Sequence, residues 1–254
     1  MDFEIIDFHT HPFLLPNEYL APFKVAHPFE SADIIADMDR AGVSRFCGSV
    51  IAGRSPELSL MKQSNESAMK LAKKFGGRYI PGVHVHPAYI DESVAELEAA
   101  FANGVRLIGE LVPYFYSWSY TDKGLYEILS SIKRSDIVVS LHTMDHGQME
   151  ELAATFPNLS FVFAHPGDNS GVEKHVAIMK RRENVYVDVS GSGLVRYGMV
   201  RCLCDAVGAE RILFGSDYPI CNLHMYVAGI MGERLSDAER ELIFAGNTKR
   251  LLGL

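Results

Sequence analysis

Hydrophobic positions along the chain fall into short apolar runs, each followed by a turn and an amphipathic stretch. The runs are residues 4–9, 43–51, 79–85, 105–112, 137–142, 159–165, 185–189 and 211–215. Many are rich in Val, Ile and Phe without polar alternation, the signature of strands buried on both faces of a parallel sheet. Helical spacing fills the intervals: residues 31–40, 64–75, 92–101, 124–132, 148–155, 172–181, 195–207 and 237–245. In residues 124–132, for example, Leu125, Ile128, Leu129 and Ile132 line one face. Eight such units in 254 residues give roughly 32 residues per unit, a normal βα size. An open doubly wound sheet is the structural alternative, but eight strands with a helix after each favour closure into a (β/α)₈ TIM barrel of ~250 residues. The pattern predicts an α/β fold of one domain over residues 1–254, with little room for an added β-domain. The least regular parts, residues 12–29 and 113–122, each follow a strand, where βα loops build the active face of such a barrel.

Composition narrows the picture. A 48% hydrophobic, 22% charged chain can bury a sizeable core. The net charge of -8 argues against nucleic acid as the main partner. Cys47, Cys202, Cys204 and Cys221 are too few and too scattered for a disulfide scaffold, and no CxxC pair suggests structural zinc. The opening residues carry no basic segment before a long apolar one. The longest uncharged stretch, residues 218–232, is too short to span a membrane. The expectation is a soluble cytoplasmic protein, with a homo-oligomer open.

Polar residues at the ends of the apolar runs carry the chemistry. The first run continues as Asp7-Phe8-His9-Thr10-His11. In a strand, i and i+2 share a side, so His9 and His11 can hold one metal ion together. The fourth run carries Glu110 near its end, the fifth ends in His142 and the sixth in His165, and Asp217 follows the eighth. Strand C-termini converge on one mouth of a barrel, and buried carboxylates and imidazoles there call for a partner such as a divalent cation. A second pair, His84 and His86, matches the first by spacing; a hydrogen-bonded pair in the upper barrel competes with a role in binding. The loop Pro113-Tyr-Phe-Tyr-Ser-Trp-Ser-Tyr120 reads either as an aromatic lid over an organic substrate or as a packing cluster, with Tyr114 and Tyr116 nearest the strand end. His86, Tyr114 and Tyr116 are the candidate substrate contacts. His146 reads as a loop residue or helix start, and His27, His175 and His224 as ordinary. Residues 190–193 read as a turn rather than a phosphate loop. No GxSxG, Walker A or HExxH motif is present.

His9 and His11 on strand one, His142 and His165 on strands five and six, and Asp217 on strand eight resemble the amidohydrolase superfamily. The segments IIDFHTHPF, FVFAHPG, ILFGSDYP and GNTKRLLGL resemble its amidohydrolase-related branch, which holds metal-dependent hydrolases and decarboxylases similar to aminocarboxymuconate-semialdehyde decarboxylase. The resemblance implies a distorted TIM barrel of the metal-dependent hydrolase type. It implies that His9, His11, His142 and Asp217 hold the principal ion, zinc or else manganese. His165 would serve a second ion or the reaction directly. Glu110 resembles a TatD-type glutamate bridging two ions, which leaves one or two metals open. The expected chemistry is hydrolysis of an amide, ester or lactone bond in a small organic molecule. Zinc lowers the pKa of water toward ~7, Asp217 takes and returns the proton, and His165 polarises the carbonyl or stabilises the oxyanion. The alternative is decarboxylation of a small unsaturated or aromatic acid, for which Arg54 or Arg196 would hold the carboxylate. A barrel that binds metal or ligand without turnover is the non-enzymatic reading.

Overall fold

The computed structural model describes residues 3–20, 29–192 and 194–254. All eight apolar runs contain strands: β1 (Ile6–Thr10), β2 (Arg45–Ser49), β3 (Tyr79–Val83), β4 (Leu107–Leu111), β5 (Val138–Leu141), β6 (Ser160–Phe163), β7 (Val185–Asp188) and β8 (Ile212–Leu213). They pair in parallel, in sequence order, as one eight-stranded sheet. Closure runs through the residues beyond β8. The Phe8 N–H donates to the Phe214 carbonyl at 2.8 Å, and the Asp217 N–H to the His9 carbonyl at 2.8 Å. Thr10 bridges to Tyr218.

Helices α1 (Asp33–Ala41), α2 (Leu58–Phe75), α3 (Ile90–Ala102), α4 (Lys123–Ser131), α5 (His146–Thr155), α6 (Asn169–Arg181) and α7 (Met199–Val207) follow the first seven strands. α7 begins four residues later than its pattern suggests, because Gly198 enters it with φ 88°, a left-handed value suited to glycine. After β8 comes α8 (Leu223–Gly232), which the polar–apolar pattern does not announce. Its buried Leu223, Tyr226, Val227 and Ile230 have helical spacing, but the surrounding residues are almost as apolar, so no stripe stands out. α9 (Asp237–Glu241) passes through a π-turn into α10 (Asn247–Leu252). Among the described residues no helix is long and apolar enough to cross a membrane. The expected 12–29 loop lies partly outside the described residues, as does His27, and residue 193 of the 190–193 turn.

Two apolar layers hold the barrel. The larger lies between strands and helices and includes Ile5, Ile108, Val139, Leu141, Phe163 and Phe214. The smaller fills the barrel with Ile6, Phe8, Cys47, Leu107, Val138, Val162 and Leu213, backed by Leu251 and Leu252 of α10. This division gives each strand a phase, and two strands break it. Phe8 faces the inner core, so regular alternation would turn His9 outward. Pairing of β1 with β2 shifts between Asp7 and Thr10, and pairing of β4 with β5 shifts between Ile108 and Leu111. Such irregularities re-aim side chains. Leu107 belongs to the inner layer and Leu111 to the outer, although they are four residues apart. Between them Glu110 is turned into the mouth.

Candidate metal centre

His9, His11, Glu110 and Asp217 are all nearly inaccessible to solvent. The Nε2 atoms of His9 and His11 lie 3.3 Å apart. Glu110 Oε2 is 3.6 Å from His9 Nε2 and 3.3 Å from His11 Nε2. Asp217 Oδ1 stands 3.7 and 3.6 Å from the same two nitrogens. The other oxygen of Glu110, Oε1, faces His142 Nδ1 at 2.9 Å and His165 Nε2 at 3.2 Å. All six predicted ligands therefore meet at one mouth. They fall into overlapping sets, His9/His11/Glu110, His9/His165/Asp217 and Glu110/His142/His165, within each of which the ligand atoms lie within 4.8 Å of one another. His142 groups with Glu110 and His165 rather than with His9, His11 and Asp217, because β5 lies between β4 and β6. The salt bridges of Arg106 are not with Glu110; it pairs with Asp136.

The proton arrangement around this cluster suits a bound cation. His9 Nδ1 donates to Asp188 Oδ2 at 3.0 Å, and His11 Nδ1 donates to the Ser49 carbonyl at 3.1 Å. Each neutral ring then presents an Nε2 lone pair to the other, with no proton to share. Asp217 Oδ1 is buried without a hydrogen-bond partner. A nitrogen and oxygen donor set with orphaned acceptors suits a divalent ion such as zinc. Without one, the cluster leans on protonated histidines. Burial works against charge on His9, but Asp188 and Glu110 raise its pKa well above the usual imidazole value. Glu110 mirrors it: burial would raise its pKa, yet His9, His142 and His165 hold it well below the usual carboxylate range.

Two further residues adjoin the cluster: Asp188, which the sequence did not single out, and Ser190, which it placed in a turn. Asp188 ends β7 as the predicted ligands end theirs, in VYVDVS, so the same positional signal was available. Deeper still, buried Asp7 accepts from the N–H groups of His9 and Ser216 at 3.1 and 3.0 Å, joining β1, which carries His9, to the segment beyond β8 that carries Asp217. Two of the predicted ligands also sit on left-handed backbone, His165 at φ 58° and Asp217 at φ 64°. That region is uncommon for residues other than glycine.

Of the candidate substrate contacts, Tyr114 reaches the mouth. It is 52% exposed, with its ring edge-on to His142 at 5.3 Å. Tyr116 and His86 are not brought to the cluster. Tyr116 is buried against the rings of His84 and His86. His86 spends both ring nitrogens on main chain, accepting from Ala88 N–H at 3.1 Å and donating to the Tyr116 carbonyl at 3.2 Å. His84 donates to the Val50 carbonyl at 2.8 Å. The second histidine pair is thus a set of hydrogen-bonded supports for the aromatic loop. Below the loop, the Tyr120 hydroxyl lies 2.9 Å from the Leu111 carbonyl and 2.8 Å from that of His142. An open cavity of about 340 Å³ adjoins the ligands, lined by His142, Thr143, His165, Gly167, Gly191, Ser192 and Asp217.

Comparison with known proteins agrees with this architecture. No curated protein matches the chain. Among solved structures, an uncharacterised TIM-barrel protein from Bordetella bronchiseptica superposes with TM-score 0.76 at 19% identity, covering 99% of each chain. A 5-carboxyvanillate decarboxylase from Sphingomonas paucimobilis gives 0.75 at 15% identity over 100% of each. A probable 2-pyrone-4,6-dicarboxylic acid hydrolase from Acinetobacter baumannii gives 0.67 at 15% identity, covering 99% of this chain and 100% of that one. These likenesses show the fold, a TIM barrel. A family model described as Amidohydrolase matches residues 6–254, from the first residue of β1 to the end of the chain. On the strength of that match the chain is a member of the amidohydrolase family.

Proposed function

We propose that the protein is a hydrolase that cleaves an amide, ester or lactone bond of a small organic molecule at a site for two divalent cations. One observation carries the reading: the two oxygens of Glu110 face two different histidine pairs, His9/His11 and His142/His165. His9, His11, Asp217 and Glu110 Oε2 would hold one ion, zinc or manganese, and His142, His165 and Glu110 Oε1 the other. Such ions, when bound, make water acidic at neutral pH and draw electrons from a carbonyl. The protein supplies the rest. Asp217 Oδ1, free of hydrogen bonds and beside the open cavity, accepts the proton of the attacking water and returns it to the leaving group. Ser192 offers a hydroxyl along the cavity wall, and Tyr114 offers a ring edge at the rim. The four free cysteines suit a reducing compartment, and the cytoplasm is the proposed location.

Decarboxylation is the second reading, and Arg54 favours it. Its guanidinium lies 4.2 Å over the Phe115 ring, in the aromatic loop, where it could hold a substrate carboxylate. Against this, no Lys or Arg among the described residues forms a salt bridge with Glu110 or Asp217. Metal analysis combined with a panel of lactones, esters, amides and aromatic acids tests the choice. Two equivalents of metal with hydrolytic turnover are expected. CO₂ release from an aromatic acid would overturn hydrolysis. Failure to take up zinc or manganese after reconstitution would overturn both readings.

A further inference from the structure

Ser190 is buried at the centre of the site yet holds no position in the ligand set. Its hydroxyl oxygen lies 3.1 Å from Nδ1 of His9 and 3.1 Å from Nδ1 of His165, and it makes a close hydrogen bond to Asp188 Oδ1. The same carboxylate oxygen accepts the Ser190 N–H at 2.9 Å, which pins the serine in place. A hydroxyl has one proton and two lone pairs. Asp188, an acceptor only, takes the proton. The single Nδ1 proton of His9 points between Asp188 and Ser190, and the remaining lone pair of Ser190 must receive a proton from His165 Nδ1.

We infer that Ser190, held by Asp188, is a positioning residue that fixes His165 in the Nδ1–H tautomer, the form that Asp188 itself imposes on His9. If His165 Nδ1 were bare, the serine proton would have to turn to it, and two oxygen lone pairs would collide at Asp188. Little room exists for another arrangement. A Cβ added to Gly191 would stand 2.2 Å from the same His165 nitrogen. The consequence lies at the far side of the ring. His165 Nε2 carries a lone pair and faces Glu110 Oε1 at 3.2 Å, so acceptor meets acceptor and a cation belongs between them. His165 is thereby a ligand of the ion on the His142 side, and not the hydrogen-bond donor to a developing oxyanion. Asp188 thus acts on both halves of the site, on His9 directly and on His165 through Ser190, an inference that rests on the two-cation reading above. Partners that fix the tautomer of a ligating histidine typically change metal affinity 10–100-fold when removed.

Imidazole-¹⁵N-labelled protein loaded with zinc tests the assignment by long-range ¹H–¹⁵N correlation, with the His165 signals identified from His165→Gln. The expected spectrum has His165 protonated at Nδ1 and bare at Nε2. In the metal-free protein in alkaline buffer Ser190→Ala should release this tautomer, and in zinc titration it should weaken the second ion roughly 10–100-fold, while His9, still bonded to Asp188, keeps its form. Ser190→Thr, which restores a hydroxyl, should recover both. A wild-type His165 protonated at Nε2 overturns the proposal whether or not any variant folds. So does Ser190→Ala with an unchanged spectrum and zinc titration. Should the wild type take up no zinc, the hydrolase reading fails. The spectrum of the metal-free protein in alkaline buffer then decides the tautomer: Nδ1–H upholds the role of Ser190 and Nε2–H refutes it.

Discussion

Gly191→Ala perturbs the site at one atom. The new Cβ would lie 2.2 Å from His165 Nδ1 and 2.8 Å from Cε1, where real Cβ contacts essentially never fall under 3.0 Å. The ring must withdraw by roughly 0.8 Å, and a shift of about 1 Å in a reacting constellation costs ~10²-fold in rate. The backbone adds a second cost. Gly191 has φ 59°, a left-handed conformation that is about 1–2 kcal/mol worse for alanine. In a domain of this size that corresponds to a melting point lower by roughly 2–8 °C. The expected variant is folded by circular dichroism, melts a few degrees early, and binds its second zinc ion and turns over substrate ~10²-fold less well. Zinc titration and thermal melts measure these separately. A variant that melts early yet keeps wild-type zinc affinity and turnover would refute the claim that Gly191 holds the His165 ring in place.

Asp217→Asn keeps the shape of the side chain but cannot hold the water's proton; turnover should fall by about 10²–10⁴ with the melting curve preserved, and near-normal turnover would remove Asp217 from the chemistry. Burial pushes the His175 imidazole down to about 4 from its ordinary 6.5. The unfolded chain therefore binds this proton first, and ~3 kcal/mol of stability present above pH 6.5 drains away as pH falls toward 4. Urea unfolding across that window should show the loss in the wild type and a shallower one in His175→Gln; parallel curves would contradict it. Tyr120→Phe leaves the Leu111 and His142 carbonyls without the hydroxyl they face, and should cost about 1–2 kcal/mol by denaturant titration. No loss would mean that this hydroxyl does not anchor the aromatic loop.

The barrel is legible in the sequence because strands covered by helices outside and packed side chains inside are apolar on both faces. Runs such as FVF at Phe161–Phe163 cannot be mistaken for an amphipathic surface strand. The clustered polar residues are legible for the opposite reason, since a polar residue closing an apolar run marks the end that meets solvent. α8 escapes because Leu223–Gly232 is too uniformly apolar to show a stripe. Tyr116 looks like a mouth residue by its distance from Glu110, but the loop turns its ring inward onto His84 and His86. Asp188 carries the same positional signal and instead accepts the His9 Nδ1 proton, a distinction that depends on which atom it reaches. Spacing conveys neither the left-handed turn at His165 nor the phase changes in β1 and β4.

Those phase changes bear on how such a centre could be transplanted. Copying His9, His11 and Glu110 at the same spacing onto regular strands would send the imidazoles of the first strand and the carboxylate of the fourth toward the helices. A graft would have to carry the slipped pairing of Asp7–Thr10 and Ile108–Leu111 along with the side chains. In this barrel the register of two strands is as much a part of the metal centre as the atoms that would touch the ion.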